Sequence, residues 1–497
     1  LSSRLAWFTR WTGRSPRLPW GSLLALAAVG VYVSVFAWAM EYRPYDTWGA
    51  LIVFPLLLTI SVPLLSRFSR DEPPWVRRLV IGALVAKLLA CFARYWMSFV
   101  LYEGRADAAT YDLVGRAIAP HFRDGDFTVD IGRKVIGTGF IMIVTGIVYA
   151  IVGQSLLAGY LVYSWLGFWG LYLFWRAFNV AYPDGDRRRY GKLLFFLPSL
   201  LFWPSGIGKD TWMMFTLGMA AYGVALLLVR KRGAFVFLIL GAVGTTMVRP
   251  HVTVLLLCGL CVGYLLRNRP QQASALGPLR AAFGIVVLGV GCVLALQQVG
   301  TFFGTPGIGA AQANQVIAKT QTQTAQGGSA QAVDDQAALA ISPAALPQSL
   351  VTVLFRPFPF EAHNIQALVA SLEGVVLMGL FVVALPRLKR IPGLLIRRPY
   401  VAFVIVYTLV FALAFANIRN FGILTRERVQ VFPFVLVLLA VSKPERTETA
   451  TGGGSERRRR RVPVRQTMPV AADSESVGTG STDPGYPGEF RGDGTWR

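Results

Sequence analysis

The ionisable residues that could do chemistry fall into a few short stretches, each beside an apolar run. Asp107 lies in Tyr102-Glu103-Gly104-Arg105-Ala106-Asp107-Ala108-Ala109-Thr110-Tyr111-Asp112, where partial desolvation would let a carboxylate act as general base toward a hydroxyl. Asp107, Tyr111 and Leu113 to Ala119 have helical spacing, so Asp107 also reads as the cap of an amphipathic helix at the membrane surface. Asp112 follows as a substrate-binding candidate on the same stretch. A second stretch, Leu201-Phe202-Trp203-Pro204-Ser205-Gly206-Ile207-Gly208-Lys209-Asp210, breaks one helix and opens the next. The free N–H groups at that helix start, with Lys209 beside them, suit a phosphate, and Asp210 belongs to the same group. No GxxxxGK[ST] loop is present, so nucleotide binding of the Walker kind is excluded. Arg249-Pro250-His251 is a second break; it adds a cation and a histidine, or else a tight turn with a snorkelling arginine.

Further cations lie late in the chain and in the third apolar run. Arg356-Pro357-Phe358-Pro359-Phe360-Glu361-Ala362-His363 carries an arginine and a second catalytic candidate, His363. Arg426 and Arg428 sit at i and i+2, so they do not share a helix face; one is expected to grip a phosphate or carboxylate and the other to anchor the helix. Lys87 and Arg94 are seven positions apart and share a face, roughly 10 Å apart along the axis. A cation as deep as Lys87 costs roughly 3 kcal/mol unless paired, and Glu373 is the expected partner, as a buried bridge or as part of a polar path for a lipid-linked phosphate. Asp124-Gly125-Asp126 could hold a divalent cation, yet Asp184-Gly185-Asp186 repeats the tripeptide elsewhere, so no metal ligands are assigned. No nucleotide or redox cofactor is implied.

The elements that must position these residues are membrane helices. The chain has 497 residues, 54% of them hydrophobic and 15% charged, a balance that rules out a string of soluble domains. Its net charge of +23 sits in short connectors between apolar runs, which is the pattern of topology determinants and excludes a nucleic-acid surface. The four cysteines lie in apolar segments, and the pair Cys258 and Cys261 reads as packing rather than redox chemistry. The first apolar stretch is long enough to stay in the bilayer, so no cleavable signal peptide is expected.

Runs approaching spanning length occur at about 21–40, 48–66, 79–101, 136–152, 156–180, 193–204, 212–229, 234–248, 252–266, 280–298, 365–385, 400–417 and 429–442. Basic connectors at 4–17, 67–78, 187–192, 230–232, 267–280 and 387–398 all fall on the cytoplasmic side if 136–152 is short or re-entrant. The expected fold is therefore all-α and polytopic, with twelve crossings plus that segment, embedded in the cell membrane with both termini cytoplasmic. Residues 1–442 form the membrane domain and 443–497 a disordered basic tail, whose arginines Arg457 to Arg461 would lie against anionic lipid. The opposite face receives 102–135, 205–211, 249–251, 299–364 and 418–428, and with them almost every residue named above. Within the large loop, 305–345 is rich in Ala, Gln, Gly and Thr and is expected to be a mobile lid. No internal repeat is visible.

The chain resembles the GT-C superfamily of polytopic membrane glycosyltransferases, in particular actinobacterial polysaccharide-building members. The likeness is carried by Arg105-Ala106-Asp107-Ala108-Ala109-Thr110-Tyr111, by the run from Gly137-Thr138-Gly139 through Gly153-Gln154-Ser155 to Trp175-Arg176, and by Leu197-Pro198-Ser199 through Lys209-Asp210. It covers about 103–251, and two additional hydrophobic segments precede the acidic loop, where the family usually has one helix. The resemblance implies transfer of a sugar from a polyprenyl-phosphate-linked donor to an acceptor hydroxyl on a glycan or lipid, on the extracytoplasmic face, with Asp107 as base. Lys209, Arg249 and Arg426 or Arg428 would then stabilise charge developing on the leaving phosphate. Pro357-Phe358-Pro359 with its large loop is similar instead to lipid-linked polysaccharide polymerases and ligases, in which Arg356 and His363 would matter more. A lipid-linked sugar transporter or flippase is the third reading, centred on Lys87 and Glu373.

Overall fold

In the computed structural model the described residues are 20–267, 343–442 and isolated positions between 286 and 324. The 280–298 run, most of the 299–364 loop and the 443–497 tail lie largely or wholly outside them. Among the described residues the protein is helical without a strand. Among the described residues six helical segments are long and apolar enough to cross a membrane: Ser22–Tyr42, Tyr45–Phe68, Val135–Val152, Leu156–Ala181, Lys209–Leu228 and Ile365–Leu388. A seventh arises if Ile391–Arg397 and Pro399–Phe415, bent by 117° at Arg398, count as one. These are the features of a membrane-embedded protein, with fewer full-length spans among the described residues than the apolar runs there suggest. The shortfall has local causes. Helices α10 (Ala234–Val248) and α11 (Pro250–Leu265) have 15 and 16 residues. The last run contracts to an eight-residue helix, Phe432–Leu439.

The run 193–204 is not one span. Leu197 precedes Pro198 and is driven out of the helical region, to φ −63 and ψ 126, so α7 (Arg187–Phe196) ends and the short α8 (Pro198–Phe202) begins. The exposed backbone of α8 decides where two buried charges go. Lys87, in α3 (Pro74–Trp96), donates from Nζ to the carbonyls of Leu200 at 2.6 Å and Leu201 at 3.0 Å. Glu373, in α13 (Ile365–Leu388), accepts from the Ser199 N–H at 3.3 Å and from the Ser199 hydroxyl. The expected Lys87–Glu373 bridge is therefore not formed. A cation serves the carbonyl end of α8 and a carboxylate its N–H end, the polarity that an isolated helical turn in an apolar core demands. Lys87→Met should leave the carbonyl end without its donor and destabilise the fold by about 1–3 kcal/mol, read as a lower melting temperature in detergent; an unchanged melt would remove this role.

Helices α2 (Tyr45–Phe68), α3, α6 (Leu156–Ala181) and α9 (Lys209–Leu228) form the packed centre. α6 and α9 touch backbone to backbone: a Cβ at Gly218 would sit 2.3 Å from the Gly170 carbonyl oxygen, so only glycine fits there. The segment 136–152 becomes α5 (Phe140–Val152), entered through a turn in which Gly137 has φ 94. Its 13 residues make about 20 Å of helix. Tyr149 lies against Gly159 and the Thr145 hydroxyl meets that of Tyr163 at 2.9 Å, so α5 accompanies only the first part of α6. Three of the basic connectors gather at one end of the bundle: Arg187 binds Glu72 at 2.7 Å, Arg387 lies 3.9 Å from Asp186, Arg398 pairs with Asp184, and the Asp186 N–H donates to Ala440 at 2.8 Å.

Candidate functional site: a chain of ion pairs at the ends of five helices

Five helix ends lie close together away from those connectors, and α4, α9, α16 and the α10–α11 break all bring charges to them. Helix α9 starts at Lys209 because Pro204 to Gly208 cannot continue α8, and Thr211 ties the break by donating from Oγ1 to the Gly206 carbonyl at 2.7 Å. Asp210 occupies the first turn and is buried. Arg249 is the residue between α10 and α11, placed there because Pro250 opens α11. Arg426 and Glu427 end α16 (Phe421–Glu427), and Asp107 begins α4 (Asp107–Arg123). The cap of α4 is Ala106, so Asp107 is in the first turn but does not cap it by a side-chain bond.

Arg426 joins the group. Its Nε donates to Asp210 Oδ2 and its Nη1 to Asp107 Oδ2 at 3.2 Å. Arg249 faces Asp210 at 3.7 Å and grips Glu427 with both terminal nitrogens, while Gln430 donates from Nε2 to the same carboxylate at 2.6 Å. The ladder runs from surface to interior: the Asp107 side chain is 60% exposed, that of Arg426 24% and that of Asp210 4%. Two more cations border it. Arg94, near the end of α3, lies over the rings of Phe202 at 5.5 Å and Trp203 at 5.0 Å, and its charge acts on Asp107, Asp210 and Arg426. Lys209 acts on Asp107, Arg249, Arg426 and Glu427. Among the described residues neither Arg94 nor Lys209 has a hydrogen-bonded or ion-paired acceptor, whereas each of the three carboxylates has an arginine. Four cations thus meet three carboxylates, and the two without acceptors are the groups able to take an incoming anion.

Burial works to raise the Asp107 carboxyl, but the charge and hydrogen bond of Arg426, helped by Lys209 and Arg94, outweigh it and hold Asp107 below the usual aspartate value. Burial likewise opposes the charge of Arg426, and Asp210 and Asp107 more than compensate, raising its proton affinity above that of a free arginine. Both groups are charged at neutral pH. The phenol of Tyr111, buried on α4 beside Asp107, is held protonated by burial and by that carboxylate.

The remaining candidates are placed elsewhere. Asp112 accepts from Arg116 Nε at 2.9 Å with both oxygens and from the Tyr149 hydroxyl; Arg116 in turn reaches Asp46 at 2.9 Å and the Gln154 carbonyl at 2.7 Å. That network fastens α4 to the start of α2 and the α5–α6 turn, so Asp112 is a structural anion here. Arg356 is held by Glu361 at 2.6 Å and stacks on Phe421 at 5.2 Å. Arg428 is fully buried; it donates to the carbonyls of Arg356 at 2.9 Å and Ala370 at 3.1 Å and lies over Phe432. It is the anchoring arginine of the pair, because the turn after α16 directs it into the protein while Arg426 faces Asp107. His251 packs its ring 5.8 Å from Phe415, next to Arg249. His363 is exposed and makes none of the contacts of the cluster. Asp126 accepts from the Thr128 N–H at 2.9 Å and hydroxyl at 2.7 Å and faces His121 at 3.5 Å, a local turn. Among the described residues no three His, Cys, Asp or Glu side chains converge as metal ligands.

Glu427 and Gln430 were not singled out from sequence. The signal was present for Glu427: a lone carboxylate between two arginines at the start of an apolar run has to be paired. Nothing in the sequence marked Phe202 and Trp203 as the platform for Arg94. No family model, curated protein or solved structure matches the chain.

Proposed function

We propose that the protein is a membrane-embedded glycosyltransferase that moves a sugar from a polyprenyl-phosphate-linked donor to a hydroxyl of a glycan or lipid acceptor, as the GT-C resemblance implies. The observation that carries this reading is the juxtaposition of one exposed carboxylate, Asp107, with two cations that have no acceptor among the described residues, Lys209 and Arg94, at the end of an apolar bundle. A phosphate ester held by Lys209 and Arg94 would present its anomeric carbon near Asp107, whose Oδ1 is not engaged by Arg426. The acceptor hydroxyl gives its proton to Asp107 as it bonds to the anomeric carbon, and the bond to the phosphate oxygen breaks. The leaving phosphate takes the electron pair beside preorganised cations, where charge stabilisation is largest. In this reading the site faces the extracytoplasmic side, both termini are cytoplasmic, and the crossings number twelve; the common end shared by the connectors 69–73, 182–187 and 387–398 supports that orientation.

The polymerase or ligase alternative is weakened because Arg356 is occupied by Glu361 and His363 stands apart. A transporter would need Lys87 and Glu373 as a switchable pair, and each is engaged with α8 instead. Native mass spectrometry of the protein taken from cell membranes should find a polyprenyl phosphate or its glycoside on the wild type and not on Arg94→Gln/Lys209→Ala. Equal retention by both proteins would break the phosphate assignment.

A further inference from the structure

Of the described acids at the connector end of the bundle, Asp71 is exposed and the other three are occupied. Glu72 is bound by Arg187 at 2.7 Å, Asp184 pairs with Arg398, and Asp186 accepts from the Arg189 N–H at 3.0 Å and lies 3.9 Å from Arg387. Arg78 on α3 and Arg188 and Lys192 on α7 are left exposed, and among the described residues none has an ion-pair partner. They lie on one face. Trp75 and Arg78 are three positions apart on α3, Arg188 and Lys192 are four apart on α7, and the Arg188 guanidinium sits 5.9 Å from the Trp75 ring, joining the two pairs. The helices come this close because position 191 is glycine: a Cβ there would lie 2.7 Å from Leu79 Cδ2 and 3.1 Å from Trp175 Nε1. One further turn along the same faces the surface becomes open and apolar, with nothing within 4 Å of the Cβ position of Gly82 and with Phe196 42% exposed.

We propose that this face is a binding site for an anionic phospholipid of the phosphatidylglycerol type. Arg78, Arg188 and Lys192 surround the phosphate, Trp75 lies at headgroup level, and the acyl chains run past Gly82 and Phe196. Charge complementarity selects the ligand: a zwitterionic headgroup brings its own cation and leaves three basic side chains less well compensated, whereas an anionic one does not. Tryptophan is enriched at this depth because its ring is apolar and its N–H is not. The inference is independent of the glycosyltransferase reading, since none of these residues belongs to the ion-pair cluster.

Native mass spectrometry of the purified full-length protein, titrated in detergent with phosphatidylglycerol or phosphatidylcholine, tests it. Each basic contact is worth roughly fivefold in affinity, so Arg78→Gln/Arg188→Gln/Lys192→Gln should bind phosphatidylglycerol roughly 100-fold more weakly and phosphatidylcholine as before. Lys192→Gln alone, a change of one exposed side chain, should lose roughly fivefold. Lys389→Gln/Arg397→Gln removes two exposed cations from other helices at the same end and should keep wild-type affinity. The site is overturned if this control loses as much as the triple variant, which would mean diffuse surface charge, or if the wild type binds the two lipids equally.

Discussion

Asp107→Asn is expected to lower sugar transfer by roughly 100-fold or more while the lipid-phosphate donor still binds. Asparagine keeps the shape and can still accept from Arg426, so the ion-pair ladder is shortened by one charge but not dismantled. What is lost is the proton acceptor, which matters only as the acceptor hydroxyl attacks. Arg426, Lys209 and Arg94 hold the Asp107 carboxyl below its ordinary value, which makes it a weaker base but keeps it ionised across neutral pH. For a carboxylate with a depressed pKa, the charged form and the stability of its ion pair persist above the ordinary value, about 3.9, and fade only as pH falls through the lowered one. The acid limb of the wild-type rate profile should therefore lie below that of an unpaired aspartate and move up when Arg426 is replaced by methionine. Full activity of Asp107→Asn together with a dead His363→Ala would transfer the chemistry to the polymerase or ligase reading.

Arg249→Met is expected to destabilise the protein by about 3–5 kcal/mol, because it strands the buried Glu427 carboxylate. The sequence offers Arg249 as a candidate phosphate ligand, or else as a snorkelling arginine in a tight turn, and in the first role its loss would act on donor binding. The structure redirects that expectation. Both terminal nitrogens of Arg249 are committed to Glu427 and its side chain is only 10% exposed, so the loss acts first on stability. The double variant Arg249→Met/Glu427→Met removes both charges and should recover most of the melting temperature, since apolar replacement of a whole buried pair is often neutral. Equal melts for the single and double variants would show that the two residues are not coupled. Lys209→Ala, by contrast, strands no carboxylate; it should weaken donor binding and leave the melt nearly unchanged.

The class of the fold and the positions of two of its breaks were legible in the chain, and for local reasons. Composition alone demands helices in an apolar solvent, since no other segment satisfies its own backbone there. Pro204 to Gly208 and Pro250 interrupt helices by their own geometry, so the places where N–H and C=O groups are freed there follow from residue type, whereas the break at Pro198 is hidden in the run 193–204, which reads as one segment. Periodicity also shows which charges lie too deep to stand alone. It does not say what they meet. Lys87 found two carbonyls of α8 rather than Glu373, Arg426 faced Asp107 while Arg428 turned to the carbonyls of Arg356 and Ala370, and Arg249 took Glu427. These partners are 178 residues apart for Arg249 and Glu427 and 319 for Arg426 and Asp107. Such pairings depend on how each helix is rotated and how deeply it sits, quantities set by close backbone contacts such as Gly170 against Gly218. A buried charge requires a partner whatever the sequence, and only the packed bundle decides which one lies within reach.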